Sequence, residues 1–139
     1  MTLPKIVAIV GPTASGKTEL ALKLAKKING EIVSADSRQI YRGMDVGTAN
    51  WPSNSKFEIR NSKLYIDKIP FHLINIRNPN QSYTVAQYKK DAIKAIRKIL
   101  QRGHLPFLVG GTGLYVSAVL DNLEIPKVKP NLKLRAKLE

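Results

Sequence analysis

The stretch Ile6–Leu20, IVAIVGPTASGKTEL, decides how the rest of the chain is read. Ile6–Val10 is a short, unbroken apolar run of the kind that forms a buried parallel strand. Gly11, Pro12, Thr13, Ala14, Ser15, Gly16, Lys17 and Thr18 follow it and fit the phosphate-loop pattern G-x-x-x-x-G-K-[ST] in full. Glycines let the backbone turn so that several N–H groups face one anion, and a helix N-terminus behind them adds positive potential. Lys17 brings a full charge to the terminal phosphate oxygens, and the Thr18 hydroxyl is of the type that binds Mg²⁺. The plain alternative is a tight strand–helix turn with no ligand. Having a buried strand before the loop and a helix after it favours the phosphate reading.

Outward from the loop, strand and helix alternate. Leu20, Leu24 and Ile28 recur at helical spacing and predict the helix's apolar face, with Asn29-Gly30 as its stop. Glu31–Ala35 reads as a second strand that ends at Asp36. The stretch from Asp36 to Pro52 has no clean period and reads as an ordered loop or short helix. In KFEIRNSKLYIDKIP, Phe57 and Ile59, then Leu64 and Ile66, alternate around Asn61-Ser62-Lys63, which predicts a small inserted β-hairpin within about 52–69. Phe71–Ile76 is expected to form a third core strand. The clearest helix follows: Thr84 and Gln87 make a capping-box pattern, Gly103 ends it, and Val85, Tyr88, Ala92, Ile96 and Ile99 form its apolar face. Leu105–Val109 is a fourth strand, followed by Gly110-Gly111-Thr112-Gly113 and a helix from about Leu114.

This order predicts an α/β fold with a parallel sheet, right-handed crossovers and flanking helices. Residues 1–125 form the core, and from 126 to 139 the composition shifts to a linker and the first turns of another helix, beyond which the chain is expected to continue. The totals agree with a globular protein: 139 residues, 43% hydrophobic and 24% charged. Cysteine is absent, which excludes disulfides and thiolate metal sites. The apolar runs are too short to span a bilayer as helices, and no leader pattern is visible, so a cytoplasmic protein without membrane association is expected. The formal charge of +13, from 23 Lys+Arg against 10 Asp+Glu, makes a polyanion such as nucleic acid a natural partner, although solvated lysines would give the same total.

A phosphate loop does not say what becomes of the phosphate. Nucleotide hydrolases usually add an acid at the end of a second apolar strand. Here FHLINI runs into Arg77-Asn78 and LPFLV into Gly110-Gly111-Thr112; the acid at a strand end is Asp36. In an open α/β sheet the active crevice lies beyond the carboxyl ends of the strands, so Asp36 and Thr112 should face the same crevice as the loop. Asp36 suits a general base, an outer partner of Mg²⁺ or a turn cap, and residue type alone leaves the three open. Thr112 suits a phosphate ligand or a plain turn residue.

Three separated motifs, GPTASGKT (Gly11–Thr18), SADSRQIYRGMDVGTA (Ser34–Ala49) and LVGGTGLY (Leu108–Tyr115), together with HLINI and YTVAQY, resemble those of the tRNA dimethylallyltransferases, also called tRNA isopentenyltransferases. The resemblance implies a P-loop NTPase-like, kinase-like core with a helical insertion that grips tRNA. It implies transfer of a dimethylallyl group from dimethylallyl diphosphate to N6 of an adenine beside the tRNA anticodon, with release of pyrophosphate. Gly11–Thr18 would then hold the donor's diphosphate rather than ATP, with Mg²⁺ at Thr18. Asp36 would take the proton from N6, Thr112 would lie near the bridging diphosphate oxygen, and Asp36, Ser37, Arg38, Gln39 and Thr112 would contact the tRNA. A monomer is expected. The chain departs from the family pattern at Asn50 and Trp51, where a Lys is usual after GTA, and at Phe71 and Asn75 around His72; the 52–69 insert is longer than usual, and the chain covers about half of the usual length. The competing readings are an ATP-dependent small-molecule kinase on the same scaffold and a binding fragment without turnover.

Overall fold

A computed structural model of the chain describes residues 5–12, 16–41, 56–61 and 63–121. Its elements run β1 (Val7–Val10), α1 (Lys17–Ile28), β2 (Gly30–Ser34), β3 (Phe57–Arg60), β4 (Lys63–Ile66), β5 (Ile69–His72), α2 (Val85–Gln101), β6 (Leu105–Gly110) and α3 (Gly113–Leu120). They form one six-stranded sheet in the order β1-β6-β2-β5-β4-β3. The four strands β1, β6, β2 and β5 are mutually parallel, as the alternation of strand and helix requires. The predicted hairpin forms from β3 and β4 and adds to the sheet through an antiparallel pairing of β4 with β5. The sheet is therefore mixed, with a parallel body and an antiparallel margin. The stretches 42–55 and 122–139 lie outside the described residues, and with them the reading of 126–139 as a linker.

Two apolar layers sandwich the sheet. On one face α1 places Ala21, Leu22 and Ala25 against Ile32, Phe71, Phe107 and Val109. On the other, α2 and α3 place Tyr88, Ala92, Ile96, Ile99 and Tyr115 against Val33 and Leu108. Successive residues of β2 and β6 thus serve opposite layers, and this is why both strands are apolar on both faces. The expected face of α2 is borne out in full: Tyr88, Ala92, Ile96 and Ile99 are buried and Val85 packs partly against the same layer. Its capping box also forms, with the Thr84 hydroxyl accepting from Gln87 N at 3.1 Å and the Gln87 side chain accepting from Thr84 N at 2.8 Å.

Three expectations need correction. The apolar run Ile6–Val10 predicts a buried strand, but β1 lies at the edge of the sheet, with Val7 and Ile9 half-buried and Ala8 and Val10 exposed, because among the described residues it has a neighbour on one side only. The buried face of α1 is Ala21, Leu22 and Ala25, whereas Leu20 and Ile28 are about half exposed. Small alanines let the helix backbone lie close to β6 and β2, so the larger leucine-type residues one position over are turned to the flank. The third core strand covers Ile69–His72 instead of Phe71–Ile76. Leu73 and Asn75 have φ of 67° and 58°, left-handed values that no β-ladder accommodates, so the chain leaves the sheet after His72.

Candidate active site

Register brings three strand ends together. Val10 pairs with Gly110 and Ser34 with Val109, so the segments that follow β1, β2 and β6 all leave the sheet at one edge. These are the phosphate-loop segment, the Asp36 turn and the second glycine turn. The strand between β1 and β2 is β6, which sets Gly111 and Thr112 between the loop on one side and Asp36 on the other.

Contacts at this edge are close. A Cβ on Gly110 would stand 2.3 Å from the carbonyl carbon and oxygen of Ala35, a distance that only glycine permits. Gly11 N–H reaches the Gly110 carbonyl at 3.4 Å, and Thr112 N–H donates to the Ala35 carbonyl at 3.1 Å. Of the eight phosphate-loop residues expected to hold the anion, Thr13, Ala14 and Ser15 lie outside the described residues. Gly16, at φ 79°, is the left-handed hinge that starts α1, and Lys17 and Thr18 are its first two residues. The α1 N-terminus therefore opens at this edge, with its backbone N–H groups and positive end of the helix dipole. Lys17 Nζ donates to the Pro12 carbonyl at 2.9 Å. It also lies 3.9 Å from where a Gly111 Cβ would be, so the ammonium spans the space between the two glycine turns.

Asp36 sits in a turn braced from three sides. Its Oδ1 accepts from Arg38 N–H at 2.9 Å, an Asx turn, so the capping reading is satisfied by one oxygen alone. The Thr112 hydroxyl accepts from Ser37 N–H at 2.9 Å and is 3.4 Å from Ser37 Oγ. Behind them, Ser34 Oγ donates to Gln39 Oε1 at 2.6 Å, and the Tyr88 hydroxyl donates to the Ser34 carbonyl at 2.7 Å. Among the tRNA-contact candidates, Arg38 is exposed and Asp36 and Ser37 are partly exposed, while the Gln39 side chain is buried beneath them. Tyr88 also stacks on Tyr115 with ring centroids 3.9 Å apart, and burial raises both phenol pKa values. Sequence reasoning placed Tyr88 simply on an apolar face; its polar tip is what ties α2 to the strand that carries Asp36. A buried tyrosine normally finds a partner for its hydroxyl, and that was the available signal.

A second polar cluster, which the sequence did not disclose, lies toward the opposite edge. Glu31, at the start of β2, is 1% exposed. Its carboxylate is met by His72 Nε2 at 2.8 Å, His104 Nδ1 at 2.6 Å, and Arg102 through Nε at 2.9 Å and a second guanidinium nitrogen at 2.7 Å. Burial alone would raise the carboxyl pKa, but hydrogen bonds from His72, Arg102 and His104, with the Arg102 charge, hold it well below the usual carboxylate range.

Comparison with known proteins agrees with this arrangement. A family profile described as IPP transferase matches residues 39–139. The tRNA dimethylallyltransferase of Chloroflexus aggregans is 53% identical over 135 residues, which are 97% of this chain and 42% of the relative. The crystal structure of the full-length tRNA isopentenylpyrophosphate transferase of Bacillus halodurans is similar with a TM-score of 0.76 at 45% identity, over 98% of this chain and 42% of that one. A eukaryotic dimethylallyltransferase, described as acting on tRNA, is similar with a TM-score of 0.75 at 28% identity, over 99% of this chain and 32% of its own. The chain thus spans about two fifths of the length of the curated relatives it matches. With a phosphate-loop strand, a glycine turn beside it and an Asp36 turn locked to Thr112 all at one sheet edge, the chain belongs to the IPP transferase family.

Proposed function

We propose that the protein carrying this sequence transfers a dimethylallyl group from dimethylallyl diphosphate to N6 of an adenine beside the anticodon of tRNA, acting as a cytoplasmic monomer. The supporting observation is the Thr112–Ser37 bond, which fixes the Asp36 turn against the glycine turn that Lys17 approaches. A proton acceptor and a diphosphate cradle are thereby held on neighbouring strand ends.

In this reaction the N6 nitrogen forms a bond to C1 of the prenyl group while the C1–O bond to the diphosphate breaks. Asp36 Oδ1 is engaged by Arg38, so Oδ2 is the oxygen that takes the N6 proton. Negative charge grows on the departing pyrophosphate. Lys17 and the N–H groups at the start of α1 stabilise it, with Lys17 exchanging the Pro12 carbonyl for a phosphate oxygen. Thr112 both braces the Asp36 turn and contributes its hydroxyl near the bridging oxygen. Among the described residues no group of three or more His, Asp or Glu could cage a metal. Mg²⁺ keeps several waters and is held through one or two protein oxygens plus substrate phosphates, and the Thr18 hydroxyl, in the first turn of α1 beside Lys17, is the oxygen that would hold it. When bound, the ion adds charge that stabilises the leaving group. The target base reaches the crevice by leaving the RNA stack, and Asp36, Ser37 and Arg38 form the segment that meets it, with the Gln39 side chain supporting it from beneath.

The test uses a protein of the relatives' full length that contains this sequence, with dimethylallyl diphosphate labelled in the prenyl group and an anticodon stem-loop. Label in the RNA and stoichiometric pyrophosphate are expected. Consumption of ATP without labelled RNA would overturn the reading in favour of phosphoryl transfer.

A further inference from the structure

The outward face of α2 carries Lys90, Lys94, Arg97 and Lys98, all exposed. Like charges three and four residues apart each cost a helix a few tenths of a kcal/mol. The acid within α2 is Asp91, and its carboxylate is already engaged by the Tyr83 hydroxyl at 2.6 Å. A helix needing only solubility would intersperse glutamates here, so concentrated positive charge runs against the helix's own preference. The charge also continues off the helix. A cleft of about 340 Å³ between α2 and the sheet margin is lined by Lys63, Arg77, Lys94, Lys98 and Arg102. A second of about 560 Å³, lined by Lys90, Lys94, Arg97 and Lys98, adjoins it. The row has a direction. Arg77 is bridged to Tyr41, five residues past Asp36, while Arg102 binds Glu31 toward the other edge of the sheet. From Lys90 to Arg102 the helix advances about 18 Å, the length of roughly five nucleotides of backbone.

We propose that this face is a docking surface for the phosphodiester backbone of an RNA stem, outside the crevice where the base reacts. The proposal rests on the tRNA reading above. Apart from Asp91, which is held by Tyr83, His72, which is held by Glu31, and Gln101 at the end of α2, the polar groups here are long cationic side chains, which recognise charge and shape without sequence. A stem laid along α2 leaves its loop at the edge that holds Lys17 and Asp36.

The experiment compares the parent with K94Q/R97Q/K98Q in a protein of the relatives' full length that contains this sequence. It measures Kd for an anticodon stem-loop across a salt series. The variant is expected to bind the stem-loop at least about tenfold more weakly near 0.1 M salt, with the slope of log K against log salt reduced by about 2 to 3. Prenyl transfer at saturating RNA and affinity for inorganic pyrophosphate should match the parent, and thermal stability should be equal or slightly higher. Unchanged affinity and slope would overturn the surface while leaving the transferase reading intact. Salt-dependent binding that weakens in the variant, from a parent that transfers no prenyl group, would keep the surface and sink the transferase reading. A parent that binds no stem-loop, or a variant that loses binding to poly-glutamate but not to RNA, would overturn the surface as well.

Discussion

Asp36 and Glu31 are acids on the same strand and its extension, five positions apart, yet they live at opposite edges of the sheet under opposite conditions. Glu31 is buried, and every contact around it is a donor aimed at its two oxygens. Asp36 is partly exposed and has one oxygen tied to its own turn. A carboxylate ringed by three partners has no capacity left for chemistry, and its low pKa is a statement about stability. A carboxylate whose turn is braced from behind while one oxygen is left over can take a proton without the fold moving. Perturbed pKa values often mark reactive groups; the depressed carboxyl pKa of Glu31 marks a structural clasp instead.

The sharpest way to break this contrast is to exchange its predicted losses. In a protein of full length, Asp36→Ala should lower prenyl transfer by about 10³-fold, within the range for removal of a general base, and leave the melting temperature and pyrophosphate affinity near parental values. Equal loss of pyrophosphate binding would place Asp36 with the metal instead. Glu31→Ala should do the reverse: a loss of about 3 kcal/mol in urea unfolding, because three donors are left facing a void, with kcat of the folded fraction retained. The clasp also has a pH signature. Because the folded pKa of Glu31 is depressed, its contribution is complete above the ordinary value of 4.5 and drains away as pH falls below it toward the folded value. Urea midpoints for the parent should fall through that acid range, and those for Glu31→Gln should fall less steeply. Gly110→Ala should cost about 2 kcal/mol and reduce transfer too, since the added carbon presses on the Ala35 carbonyl and displaces the Asp36 turn. The smallest effect is expected for Tyr88→Phe, about 1 kcal/mol for one lost buried hydrogen bond, with a modest fall in kcat and unchanged pyrophosphate affinity.

Local signals carried much of the fold in the sequence. The α2 capping box, the hairpin alternation and the Asn29-Gly30 stop each depend on residues within about a turn of one another, and each forms where read; Asn29 caps α1 at φ 52°. What escaped depends on distant partners. Nothing near Glu31 announces His72, Arg102 and His104, which arrive from 41, 71 and 73 positions away. The exposure of Leu20 and Ile28 follows from where β6 presses on α1, which the helix period alone does not encode. At the site, Asp36 and Thr112 were legible because strand ends in an α/β sheet converge, whereas the bond from Ser37 N–H to the Thr112 hydroxyl, which holds the Asp36 turn, required the register of β2 on β6. Gln39, expected among the tRNA contacts, is turned inward to Ser34.

The position of β1 has a consequence in time. Among the described residues its one ladder is with β6, Val7 against Phe107, a hundred positions later in the chain. Synthesis runs at about 5–20 residues per second, so the strand bearing the phosphate loop leaves the ribosome roughly 5–20 s before its neighbour exists. The strand that bears the phosphate loop is thus made long before the neighbour that fixes it, and a nascent chain halted between Thr18 and Leu105 carries the full GPTASGKT signature without the strand that positions it.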